Sequence, residues 1–250
     1  MLKILLSGAC GRMGAQVAEL AGLHQAVIAA GVDVHPEAAR PFPVYPAFSF
    51  VHENADVIVD FSRPEGLEAL LEYAAAHRIP AVLGATGYQE KELAAISEAA
   101  KTIPIFRSAN MSLGVYVLQA LARQARMLMP DFDVEIIERH HNQKIDAPSG
   151  TALMLYNAVK SAETQPVYGR EGRTQKRQKD EIGIHAIRGG SVAGEHEIGF
   201  YGPGETLQIT HQAQDRSIFA LGALRAAHFI VDQAPGEYDM GDLARAIVKP

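Results

Sequence analysis

The sequence predicts an α/β protein: a doubly wound parallel sheet with a second, α+β domain of mixed sheet inserted late in the chain. Three observations predict it. Short apolar strands alternate with helices from Leu2 to about Asn110, the signature of parallel βαβ units. A turn punctuated by glycines follows the first strand. Beyond residue 180 the alternation gives way to β-rich stretches broken by Gly-Gly and Gly-Pro-Gly turns.

The first strand, LKILLS at residues 2–7, is of the buried type and runs into GACGRMG and a helix through AQVAELAGL. Gly8, Gly11 and Gly14 give the spacing G-x-x-G-x-x-G, a variant of the Rossmann-type dinucleotide fingerprint with Cys10 where a second glycine often stands. A glycine pattern alone is weak. Here it sits between a strand and a helix, and the next strand, AVIAAGVD, ends in Asp33, about where the acid that binds the adenosine ribose belongs. An acid there repels a 2′-phosphate, and Val34 and His35 offer little compensation, so NADH is preferred, with NADPH a second possibility. The alternative is a glycine turn and a strand-ending Asp with no ligand.

Three further alternations follow, ADVIVDFS with PEGLEALLEYAAAH, AVLGATG with EKELAAISEAAK, and IPIFRSAN with a long helix from near Ser112. Ligands of such sheets bind beyond the carboxyl ends of strands, which here read FSRP, GATG and RSANMS. Gly84, Thr86 and Asn110 are therefore candidates for the nicotinamide end of the groove, with Arg63 along it. Taken singly, each is as well explained as a turn residue.

Residues 133–151, DVEIIERHHNQKIDAPSGT, are the densest stretch in groups able to bind or protonate a ligand. Val134, Ile136 and Ile137 favour a strand, Pro148 and Gly150 break it, and Thr151 opens the helical run ALMLYNAV. In the loop between, His140, His141 and Lys144 can present protonatable or cationic groups, while Ser149 caps the helix. The N–H groups of Gly150 and Thr151 add a helix N-terminus, so the site suits a carboxylate or phosphate. The plain alternative is a solvated loop before a well-capped helix. Zinc is disfavoured, because adjacent histidines on extended backbone point to opposite faces and no cysteine cluster accompanies them.

The chain continues through a basic run, residues 170–188, read as a solvated loop with a subunit contact or substrate lid as the alternative, and then the strands IGIHAIR, EHEIGFYG and ETLQITHQA. A helix over SIFALGALRAAHFIVDQ and a tail that returns to the first domain complete it. The predicted domains are 1–111 with 221–250, binding the dinucleotide, and 112–220, carrying the anion-binding stretch. Hinges are expected near 110–114 and 214–220, the two domains closing on each other to exclude water.

A net charge of -6 argues against a nucleic-acid coat protein, and no run reaches the ~18 apolar residues of a membrane span. The single cysteine cannot form an internal disulfide and fits a reducing compartment. A cytoplasmic protein without a metal is the expectation.

With these motifs in view the chain resembles the dihydrodipicolinate reductases over nearly its whole length. The resemblance is carried by GACGRMG at 8–14, DFSRPEG at 60–66, GATG at 84–87, SANMSLGV at 108–115, ERHHNQKIDAPSGTA at 138–152 and RGGSVAGEHEIGF at 188–200. It implies reduction of 4-hydroxy-tetrahydrodipicolinate, a small cyclic dicarboxylate, with loss of water in lysine and diaminopimelate biosynthesis. It assigns His140 as acid/base group, Lys144 as proton donor, and His141, Ser149, Gly150 and Thr151 to the substrate. On the cofactor side it implies Gly8, Ala9, Cys10, Gly11, Arg12, Met13, Asp33, Gly84, Ala85, Thr86, Ser108, Ala109, Asn110 and Met111, and it implies a homotetramer. Departures fall at Val34, where users of NADPH tend to carry arginine, and at Ala85 and Met111, where Thr and Phe are frequent. A different two-domain dehydrogenase shares the fingerprint but leaves HHNQKIDAPSGT unexplained, and a non-catalytic NADH sensor has no use for His140 and Lys144.

Overall fold

The computed structural model describes residues 1–36, 40–172 and 176–248. The chain divides into two compact units, residues 1–113 with 216–250, and residues 114–215. The elements are β1 (Leu2–Ser7), α1 (Arg12–Ala21), β2 (Ala26–Val32), β3 (Val44–Tyr45), β4 (Val57–Asp60), α2 (Leu67–His77), β5 (Ala81–Leu83), α3 (Glu90–Ala99) and β6 (Pro104–Arg107). There follow α4 (Leu113–Leu128), β7 (Asp133–His140), α5 (Gly150–Val159), β8 (Gln165–Tyr168), β9 (Glu181–Arg188), β10 (Gly194–Gly202) and β11 (Glu205–Ala213). The last are α6 (Ser217–Ile230), β12 (Gly236–Tyr238) and α7 (Met240–Val248).

In the first unit seven strands run in the order β12-β6-β5-β4-β1-β2-β3, every pairing parallel. All four residues of β4 and all three of β5 are buried, as strands covered on both faces must be. One core layer packs Leu5, Ile58 and Leu83 of the sheet against Leu70, Leu71 and Ile96 of α2 and α3, each side chain contributing roughly 2 kcal/mol. Gln89 and Glu92 form a capping box that starts α3, the Gln89 N–H donating to Glu92 Oε2 at 2.8 Å. The strand order reverses between β1 and β4, so their carboxyl ends open a crevice.

The second unit is a five-stranded mixed sheet, β11-β10-β7-β9-β8, with β7, β9 and β8 parallel and β10 antiparallel to both β7 and β11. Burial alternates strictly along β7, so Val134, Ile136, Glu138 and His140 share the covered face. Leu118 of α4 and Leu155 and Tyr156 of α5 pack on that face with Ile184, Ile198 and Phe200.

Between residues 170 and 180 the basic run is exposed at most of its described positions, as a solvated loop is, but two of its arginines are anchored to the opposite face of the sheet and its end, from Glu181, is strand β9. Arg170 and Arg177 both bond Glu135 Oε1, at 2.9 and 3.1 Å, and His185 Nε2 lies 2.8 Å from Glu135 Oε2. Arg177 also reaches Asp133 at 2.6 Å, and Arg170 reaches Glu181 at 3.0 Å. Gly183 makes room, since a Cβ there would lie 1.8 Å from Glu135 Oε2. Arg173 and its neighbours 174–175 lie outside the described residues.

Candidate active site

Where β1 ends, Gly8 adopts φ +76°, a conformation that L side chains rarely take, and a Cβ on it would also press on the Phe61 backbone at 2.8 Å. Gly14, on the first turns of α1, lets the helix approach the Gly8 carbonyl, which a Cβ would meet at 2.3 Å. The helix therefore points its N-terminus at the turn. Gly11 stands at the N-cap without a capping side chain, and no acid occupies the first turn. Those N–H groups and the dipole behind them suit a pyrophosphate.

Beside this turn lies a cavity of about 900 Å³ at the β1/β4 crevice, lined by Gly8, Cys10, Gly11, Asp33, Val34, His35, Phe61, Ser62 and Arg63 among others. The residues fit a dinucleotide: glycine cradle, helix start, and an acid at the end of β2. Asp33 has a second task, its Oδ2 accepting the Cys10 N–H at 2.8 Å and its Oδ1 the His35 N–H at 3.0 Å. Each oxygen keeps a lone pair for a ribose hydroxyl.

The remaining cofactor candidates are spread more widely. Ala9 is buried with its methyl against Gly31 and offers only backbone. Arg12 and Met13 form the first turn of α1 and are outside the cavity lining. Gly84, Ala85 and Thr86 follow β5, with Gly84 closed against the Phe61 ring and its N–H on Asp60 O at 2.8 Å. Ser108 and Asn110 bond each other around exposed Ala109, Ser108 Oγ donating to Asn110 O at 2.7 Å, while Met111 is buried. Asp60, which sequence reasoning did not single out, joins these loops: it accepts the Ser62 N–H at 3.0 Å and the Tyr88 hydroxyl at 3.5 Å. Burial raises its pKa, opposed by Ser62, Ser7 and Tyr88.

In the second unit β7 delivers His140 to the sheet end, buried, and the chain then turns through His141 to Ser149. His141 N–H donates to Val192 O at 2.8 Å, and Gly189 N–H to His140 O at 2.9 Å, so two loops are stitched together there. Lys144 does not stand unpaired: its ammonium meets Asp146 Oδ1 at 2.8 Å. Ser149 caps α5, its Oγ accepting the Ala152 N–H at 3.2 Å, and the same oxygen lies 3.0 Å from His196 Nε2. Gly150 and Thr151 open the helix immediately after it.

Three groups that sequence reasoning did not assign complete the cluster. Glu138 is wholly buried and binds His140 Nδ1 at 2.6 Å, the Ser149 N–H at 3.0 Å, and both terminal nitrogens of Arg188 at 2.7 Å. His196 packs edge-on to His140 with ring centroids 5.1 Å apart. Parity along β7 was the available signal for Glu138: it falls on the face of Val134 and Ile136. Arg188 depends on its pairing with His140 across β7 and β9, which sequence does not reveal.

Burial opposes the charge on Glu138, yet Arg188, His140 and the Ser149 N–H together hold its carboxyl below the usual range. Burial lowers the His140 pKa against the pull of Glu138, and Lys144 and Arg188 add to the lowering. Burial takes His196 down to about 3, with His140 beside it contributing. The cluster is an ionised carboxylate facing neutral imidazoles at neutral pH. Such a pair can accept or deliver a proton. Among the described residues no group of three or more His, Cys, Asp or Glu is placed to hold a metal ion, and no helix is long and apolar enough to cross a membrane.

A dinucleotide cradle in one unit and a buried acid/base cluster at a helix start in the other define an NAD(P)H-dependent oxidoreductase. The family model of the dihydrodipicolinate reductase N-terminus matches residues 2–111, and that of its C-terminus residues 114–244. The chain belongs to the dihydrodipicolinate reductase family. It is 47% identical over 249 residues to the 4-hydroxy-tetrahydrodipicolinate reductase of Caldanaerobacter subterraneus subsp. tengcongensis, covering 98% of this chain and 99% of that one. The enzyme of the same name from Clostridium novyi is 42% identical over 250 residues, again with 98% and 99% coverage. Among solved structures, the dipicolinate-bound dihydrodipicolinate reductase from Paenisporosarcina sp. TG-14 superposes with a TM-score of 0.80 at 22% identity, covering 96% of this chain and 97% of that one, which shows the shared fold.

Proposed function

We propose that this chain reduces 4-hydroxy-tetrahydrodipicolinate to tetrahydrodipicolinate, with loss of water, in lysine and diaminopimelate biosynthesis, using NADH in preference to NADPH. The observation that carries it is the clustering of His140, Ser149 and the start of α5 around one buried carboxylate, in the stretch that the family shares. The reduced nicotinamide supplies a hydride when bound. Everything else falls to the protein.

The substrate carries two carboxylates, and the start of α5 with Ser149, Gly150 and Thr151, together with His141, holds one of them. Lys144 exchanges Asp146 for the incoming anion and donates the proton that balances the electron density hydride addition leaves on the ring. His140, neutral before substrate arrives, takes up or releases a proton as water departs. The nearby substrate charge raises its proton affinity at that moment.

On the cofactor side, the acid at Asp33 and the uncharged Val34 support the preference for NADH, since neither offers a cation to a 2′-phosphate. Family resemblance supports a cytoplasmic homotetramer. The uncovered sheet face bearing Glu197, Ile137 and His185 in one row is the surface for assembly. The test is direct: purified protein is mixed with the product of dihydrodipicolinate synthase and with NADH or NADPH in parallel, and the absorbance of the reduced nicotinamide is followed. Oxidation that requires both partners, faster with NADH, is expected. Absence of oxidation with either cofactor would sink the reading, and equal rates would sink the preference.

A further inference from the structure

We propose that Glu138 is a positioning residue that fixes His140 as the Nδ1–H tautomer, leaving Nε2 as its proton-exchanging atom, and locks that ring to the start of α5. The inference rests on the reading of His140 as the acid/base group and adds a residue to it.

Each oxygen of the carboxylate serves two donors. Oε2 receives His140 Nδ1 at 2.6 Å and one Arg188 nitrogen at 2.7 Å; Oε1 receives the Ser149 N–H at 3.0 Å and the other Arg188 nitrogen at 2.7 Å. An ionised carboxylate can only accept. The ring nitrogen beside it must therefore carry the hydrogen, and in a neutral imidazole the opposite nitrogen then holds a lone pair. Nε2 has no hydrogen-bond partner among the described residues, and Gly194 leaves the space in front of it open, since a Cβ there would stand 3.1 Å away.

The charged and titratable groups around the ring are Glu138, Arg188, Lys144 and His196, with Asp146 paired to Lys144. None but Glu138 accepts from Nδ1. The second half of the claim follows from the other oxygen. Because Oε1 holds the backbone N–H of Ser149, the separation between the proton-exchanging ring and the anion-binding turn is set by one rigid, buried group. Glutamine in its place cannot keep this arrangement. With its oxygen toward His140 its NH2 opposes the Ser149 N–H and Arg188, and with the amide reversed its NH2 faces Nδ1 and selects the Nε2–H tautomer.

The test combines nuclear magnetic resonance of the protein labelled with 15N-histidine, His140 being assigned by comparison with His140→Asn, and steady-state kinetics of Glu138→Gln and Glu138→Asp. Expected are a protonated Nδ1 on wild-type His140, loss of that tautomer in Glu138→Gln, and a kcat lowered at least about tenfold. The KM for the nicotinamide cofactor should move less than about twofold, and Glu138→Asp should recover part of the kcat. A wild-type His140 carrying its proton on Nε2 overturns the proposal, as does a Glu138→Gln protein that keeps both the tautomer and the kcat. If Glu138→Gln does not fold, the wild-type spectrum still decides. Wild-type turnover in His140→Asn, with the expected tautomer seen in the parent, would instead remove the acid/base reading and leave the hydrogen-bond assignment standing.

Discussion

Lys144 and Asp146 form an ion pair at 2.8 Å, the lysine largely covered and the aspartate more than half exposed. The proposed proton donor is thus held by a group that solvent can replace. Lys144→Ala removes both a charge and a proton, so kcat should fall at least about 100-fold. The dissociation constant for NADH should stay within about twofold, since the cavity lining lies wholly in the other unit. Asp146→Asn tests the competition: an exposed pair is worth under ~1 kcal/mol, so the KM for the dicarboxylate should fall by no more than about fivefold.

Asp33 should govern the choice of cofactor. Asp33→Asn keeps an oxygen for the Cys10 N–H while removing the charge that repels a 2′-phosphate. The ratio of kcat/KM for NADH to that for NADPH should fall by about tenfold, the change expected for one unfavourable charge interaction in a partly exposed site. Parallel initial rates with the two cofactors read it.

His196 should make stability depend on pH. Its folded pKa lies near 3, below the ordinary histidine value of 6.5, so the unfolded chain binds a proton that the folded chain refuses. Stability is full above pH 6.5 and declines as pH falls from there toward 3, by up to ~1.4 kcal/mol per pH unit. His140 and His211, also lowered by burial, act in the same direction. Urea midpoints at pH 7.5 and 5.5 should separate by less in His196→Gln than in the wild type. An equal separation would remove His196 from the account.

Two glycines of the first turn should behave differently. Gly14→Ala drives a methyl to within 2.3 Å of the Gly8 carbonyl, which is backbone and cannot swing aside. Overpacking of this kind costs roughly 1–3 kcal/mol and displaces the helix start from the cavity, so thermal stability and NADH affinity should fall together. Gly11→Ala meets only the Gly8 oxygen at 3.2 Å and should cost less on both counts. Calorimetry and fluorescence titration with NADH measure the two effects.

Gly194→Ala should fill the space before His140 Nε2, 3.1 Å from that atom, without touching the sheet pairing of β10. A kcat loss of at least about tenfold is expected, with a melting temperature lowered less than in Gly14→Ala, where the clash is with backbone. A fully active variant would show that nothing need approach Nε2.

Much of this fold is legible because local rules and burial agree along it. The strand, glycine turn and helix from Leu2 to Ala21 announce themselves through apolar runs and Gly8, and Ser149 announces the start of α5 by its residue type. What was not legible depends on pairing between distant segments. The strands β3, β8 and β12, reading VY, QPVY and GEY, lack the buried apolar run that marks the equally short β4 and β5, and only their neighbours define them. Arg188 lies 50 residues from Glu138, and it meets that carboxylate because β7 and β9 pair in parallel with His140 opposite Arg188. The Arg170 and Arg177 contacts are hidden for a similar reason: the run is exposed, and only the β7 register shows that Glu135 lies within reach of these two side chains.

The missing side chain at Gly183 links two places in the sequence. Every other amino acid at 183 would set its first carbon 1.8 Å from Glu135 Oε2, so that oxygen, which meets His185 Nε2 at 2.8 Å, would have to move. Position 183 is therefore tied to its neighbour across the strands: a side chain enters there most readily after 135 has shortened, and a mutational survey read one site at a time would mistake that epistasis for intolerance.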